Sequence, residues 1–144
     1  MDPRNFLEDL AAHVRAAVGE SANVELVGRE EKSAVEVTPE TSGACRFSVF
    51  RQDEDEITLE FGEMSILDFH GQAVEDLQAA CREAVDAIIE GKVSESVYLK
   101  GGTLVRAVAQ LRLSDRTVTV RTRRGVAPFS RKGLTRDYLP YHGV

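Results

Sequence analysis

Tryptophan is absent from these 144 residues, and cysteine, methionine, histidine and proline number two, two, three and four. The two cysteines, Cys45 and Cys81, lack CxxC spacing and sit in phase with apolar neighbours. They read as buried, inert thiols of a chain kept reduced in the cell. His13, His70 and His142 show no metal-ligand spacing, so no metal or other cofactor is expected. No apolar run approaches the roughly 20 residues a membrane span needs. The first residues carry acids and a helical pattern in place of a basic segment followed by an apolar one, so no secretory signal is expected and the default location is cytoplasmic. G-x-S-x-G turns, calcium loops and phosphate loops are missing, and with them any motif for catalysis.

What is present is an uneven distribution of charge. The formal net charge of −6 conceals a segment 1–98 with 22 Asp/Glu against 8 Lys/Arg, and a segment 99–144 with 10 Lys/Arg against only Asp115 and Asp137. Such asymmetry points to an interaction surface or tail. A hydrophobic fraction of 42% and a charged fraction of 29% fit a folded globular chain.

Hydrophobic periodicity divides the chain. Asp2 and Pro3 suit a helix cap and first helical position, and Phe6, Leu10, Val14, Ala17 and Val18, widened by Leu7, predict an amphipathic helix stopped at Gly19. The period then becomes two. Val24/Leu26, Val35/Val37, Cys45/Phe47/Val49 and Ile57/Leu59/Phe61 predict an antiparallel meander, continued by a short strand over 64–69. The acidic run Asp53–Glu56 reads as a solvated hairpin tip. Val74, Leu77, Cys81, Ala84, Val85 and Ile88 predict a central packing helix over 72–90. Alternation around Gly101-Gly102 and again at Val118/Val120 predicts a three-stranded meander. The expectation is an α+β fold in one domain, residues 1–122, followed by an extended, basic, Pro/Gly-containing tail over 123–144.

Asp68 and His70 share a strand face, as a carboxylate–histidine pair would, yet no nucleophile accompanies them, and local hydrogen bonding or capping of the following helix is the simpler role. His13, beside the apolar stripe of the first helix, reads as a partly buried structural histidine. Two binding surfaces compete. Glu25, Glu36, Asp53, Asp55 and Glu60 are the candidates for an acidic face that meets a protein partner. Arg106, Arg112, Arg121, Arg123 and Arg124 are the alternative, a nucleic-acid contact with Phe129, Tyr138 or Tyr141 available for stacking. A third possibility is that Glu36 or Glu60 pairs with the arginines and cancels the patch.

Ile57-Thr58-Leu59-Glu60-Phe61-Gly62, then Phe69, then Ala87-Ile88-Ile89-Glu90-Gly91-Lys92-Val93 form a cadence of strand ending in Phe-Gly, amphipathic helix and Gly-led return strand. It resembles small bacterial immunity proteins encoded beside polymorphic toxins. The order of elements and the acidity also resemble type III secretion chaperone-like folds, which have fewer strands and a C-terminal helix. Both resemblances imply binding without catalysis. The first implies a basic toxin as protein partner; nucleic acid is the second choice, no membrane is involved, and a homodimer is compatible with either.

Overall fold

The pattern of alternating apolar residues becomes nine strands in two sheets in the computed structural model, which describes residues 3–29, 32–53, 55–124 and 130–142. Helix α1 (Pro3–Val18) precedes β1 (Ala22–Arg29), β2 (Lys32–Pro39), β3 (Phe47–Asp53), β4 (Glu56–Phe61) and β5 (Ser65–His70). Helix α2 (Val74–Ile89) then leads to β6 (Val93–Lys100), β7 (Thr103–Arg112), β8 (Thr117–Arg123) and β9 (Arg131–Asp137). Strands β1 to β5 form one antiparallel sheet in sequence order; the second runs β8-β7-β6-β9. The fold is α+β, as the periodicity predicts.

One face of the first sheet is apolar because Val35, Val37, Phe47, Val49, Ile57, Leu59 and Phe61 fall on alternate positions, and all are buried. Phe6, Leu7, Leu10, Ala11, Val14 and Val18 of α1 share the core with that face. Ala17 is exposed and Ala11 takes its place in the stripe. Helix α2 contributes Leu77, Cys81, Ala84, Val85 and Ile88 to the same core, where Val93, Ala109, Leu111 and Val120 of the second sheet join them. The helices are also tied by His13, whose Nε2 lies 2.7 Å from Asp86 Oδ1. His13 therefore has the partly buried structural role expected of it. At the β6–β7 hairpin Gly101 and Gly102 have φ of 59° and 82°, the two positive values a type I′ turn requires.

The C-terminal region departs from expectation. The second sheet has four strands, since β9 pairs with β6 in the register Ser94↔Asp137 and Val97↔Leu134. Beyond it Ala44 bridges Leu139 in parallel, and Tyr138 and Tyr141 are buried at 8% and 0% exposure. Much of the expected tail is thus docked, because backbone pairing and two tyrosines anchor a segment whose strand side chains are all exposed. Asp2, Glu54, Gly125, Pro128 and Phe129 lie outside the described residues. Among the described residues no helix is long and apolar enough to cross a membrane.

Burial raises both thiols from an ordinary value near 9 to about 12, with Glu95 adding repulsion at Cys45. The folded value exceeds the unfolded one, so each thiol's contribution to stability is complete below about pH 9 and is lost as pH rises toward about 12. The hydroxyls of Tyr138 and Tyr141 are pushed up in the same direction, first by burial. Native alkylation near neutral pH should be slower than in unfolded chain by on the order of 1,000-fold, and the melting temperature should begin to fall only above about pH 9. Rapid labelling of both thiols in the folded protein would contradict this packing.

Candidate functional site

The first sheet leaves its other face uncovered by either helix, and strand register decides which side chains meet there. Glu25 faces Glu36, Glu36 faces Ser48, Ser48 faces Glu60, and Glu60 faces Ile66, a single row across all five strands. Directly opposed strand partners share a face at about 5 Å. Three of the five candidate acids are therefore assembled by pairing alone. Glu25, Glu36 and Glu60 are all exposed, and among the described residues none forms an ion pair. Asp55 is exposed at the β3–β4 turn, next to Asp53 at the end of β3. Those two belong to the hairpin tip, several residues along the strand from the row.

Beside the row lies a cleft of about 360 Å³, bounded by Glu36, Arg46, Ser48, Glu60, the Gly62–Ser65 turn and Arg124. Its turn is held from behind by Glu95, an acid at 1% exposure on the inward face of β6. The backbone N–H groups of Glu63 and Met64 donate to its carboxylate at 2.8 and 3.2 Å, and the hydroxyls of Ser65 and Tyr138 donate at 2.6 and 2.7 Å. Gly62 makes this approach possible: at its φ of 67°, a Cβ would stand 2.4 Å from Glu95 Oε1. Sequence reasoning missed Glu95. The available signal was its phase, since Val93, Glu95 and Val97 alternate on one face and that face is buried.

The second sheet presents the opposite charge. Its register sets Arg106 against Arg123, Val108 against Arg121 and Arg112 against Thr117, all on the face away from buried Ala107, Ala109 and Leu111. Tyr98 and Lys132 complete the row of Arg106 and Arg123 on the neighbouring strands. The Arg106 guanidinium carbon sits 4.1 Å from the Tyr98 ring centroid, and its Nε is buried without a hydrogen-bond partner. Arg124, one residue out of phase, instead lines the cleft with Glu36 and Glu60. Among the described residues, none of the five candidate arginines forms an ion pair with a carboxylate, so the expected cancellation by Glu36 or Glu60 is not found. Nor are Tyr138 and Tyr141 free to stack on bases, because the core holds them.

Asp68 accepts from Thr58 Oγ1 at 2.7 Å, while His70 stands opposite Glu56. Helix α2 has no side-chain cap, so Asp68 does not supply one. Both residues border a second cleft of about 240 Å³ whose walls include Leu67, Phe69, Leu77, Leu111 and Val118. Among the described residues no group of three His, Cys, Asp or Glu is placed to hold a metal ion. No protein-family model matches the sequence, and no curated protein and no solved structure matches the chain.

Proposed function

We propose that this chain is a non-enzymatic protein-binding domain that neutralises a basic toxin in the cytoplasm, as small immunity proteins do. The observation that carries this reading is the row Glu25, Glu36 and Glu60 on the sheet face that neither helix covers, exposed and without ion-pair partners among the described residues. Opposed like charges on neighbouring strands weaken a sheet. A basic partner relieves that repulsion, and the acidic field raises its association rate. Glu36 and Glu60 also line the adjoining cleft, together with Arg46 and Arg124, so a partner side chain entering it meets both acids. Free, buried Cys45 and Cys81 suit a reducing compartment.

The test is co-expression with the protein encoded beside this chain in its native genome. That neighbour should arrest growth alone and be relieved by the wild-type chain, and Glu36→Lys with Glu60→Lys should abolish the relief while leaving the fold intact. Neutralising the same acids to glutamine should slow capture by about ten-fold at low salt, a defect that shrinks as salt screens both variants. A harmless neighbour, or one whose toxicity the chain does not relieve, would overturn the proposal.

A further inference from the structure

The outer face of the second sheet carries a separate feature that toxin capture does not use. We infer that this face is a binding surface for single-stranded nucleic acid, with Arg106, Arg121, Arg123 and Lys132 as the phosphate contacts. The register places Arg106 directly opposite Arg123, and a like-charged cross-strand pair costs stability unless an anion lies between. Among the described residues no carboxylate neutralises either of them. Asp137 is the one acid that pairing brings to this face, at the far end of β9.

The neighbouring residues fit a phosphodiester chain better than an acidic protein. Ser94, Thr117 and Thr119 lie among the cations and supply hydroxyl donors, the groups that join Arg and Lys in holding phosphates and sugars, while Ser96 and Thr135 bond to each other at 3.0 Å. Protein interfaces instead centre on buried apolar anchors and are depleted of charge at the middle. Here the middle is cationic, and Tyr98, the one aromatic that pairing brings to this face among the described residues, is already engaged by Arg106. The Arg106 guanidinium carbon lies 4.1 Å from the Tyr98 ring centroid, a cation–π contact that orders a flat group on which an unstacked base can lie. The Arg106 Nε is buried and unpartnered, so no hydrogen bond at that atom competes with the Tyr98 contact. Cations separated by about 4.8 Å across strands and about 6.7 Å along them lie on an open sheet, which an extended strand can follow.

The experiment is fluorescence anisotropy of the purified full chain with a labelled oligothymidylate and an oligouridylate of about 20 nucleotides each. Four phosphate contacts give a log–log salt slope of about −2.8, so affinity should fall about 50-fold between about 50 and 200 mM salt. Arg121→Glu with Arg123→Glu should remove binding without lowering the melting temperature, since both side chains are exposed and the change relieves the like-charged pairing of Arg123 with Arg106. Arg106→Lys keeps the charge and loses the stacked plane, and should weaken binding about five-fold. Glu36→Gln with Glu60→Gln should leave oligonucleotide binding intact, which separates this surface from the proposed toxin face. Absence of binding at low salt, persistence of binding in the Arg121/Arg123 double variant, equal affinity for polyglutamate, or tighter binding of a duplex would each overturn the inference.

Discussion

Glu95→Ala is expected to lower the unfolding free energy by about 3–5 kcal/mol, which for a chain of this size means a fall in melting temperature of about 10–15 °C. The carboxylate is 1% exposed and accepts four hydrogen bonds, from Glu63 N, Met64 N, Ser65 Oγ and Tyr138 Oη. Removing it leaves four donors facing a cavity that cannot satisfy them, and each unsatisfied buried group costs about 1–3 kcal/mol before relaxation. Some of that loss is offset, because a buried charge is itself expensive and alanine no longer carries one. Glu95→Gln separates shape from charge. Its amide retains one acceptor oxygen but directs N–H groups at donors, so a loss of about half the alanine value is expected. Urea denaturation with unchanged slope should read these shifts directly. A change below about 1 kcal/mol for the alanine variant would show that the four contacts do not hold the turn.

The same substitution bears on the site. Residues Gly62 to Ser65 form one wall of the cleft beside the acidic row, and three of the four donors to Glu95 come from that wall. The fourth comes from Tyr138, immediately after β9. One side chain on β6 thus couples the cleft of the first sheet to the C-terminal segment of the second. Weakening of partner capture by Ser65→Ala, which removes a single donor, would follow from the same coupling.

Much of this arrangement was legible in the residues. Strands β2 to β8 announce themselves because each buries residues on one face and the period of two survives, and β1 keeps the same period although Val24 is only half-buried and Leu26 is exposed. The row of Glu25, Glu36 and Glu60 is latent in that period, but its alignment depends on register, and register depends on hairpin geometry that no single strand contains. Arg124 could have been separated from Arg121 and Arg123 by parity alone. Strand β9 could not have been found in this way: Arg131 to Asp137 are exposed on both faces, so no apolar alternation marks them. Its existence rests on backbone bonds to β6 and on the two tyrosines that follow. Glu95 was hidden for the converse reason, a charged residue in a buried phase whose partners lie 30 or more positions away in sequence.

Tyr141→Ala should be the second severe change, costing about 3–5 kcal/mol as large aromatic truncations in a core do. Its ring is fully buried, 6.3 Å from the Phe47 centroid, and its hydroxyl donates to the Cys45 carbonyl. The backbone around it is fixed as well: Tyr141 N donates to Ile89 O at 2.9 Å, and Thr41 Oγ1 donates to Tyr141 O at 2.7 Å. Because every residue of β9 is exposed, that strand has no apolar anchor of its own and relies on Tyr138 and Tyr141 to hold its C-terminal end. Loss of the ring should therefore release β9 before the rest of the molecule opens. Amide exchange in Arg131 to Asp137 and in their β6 partners should accelerate more than exchange in β2 to β4, where the first sheet keeps its helices. Tyr141→Phe keeps the ring and leaves only the Cys45 carbonyl without its donor, so it should cost about 1–2 kcal/mol and preserve the protection of β9. If the alanine variant instead loses protection uniformly across both sheets, β9 is no separate unit and the C-terminal segment is integral to the core from which it was expected to stand apart.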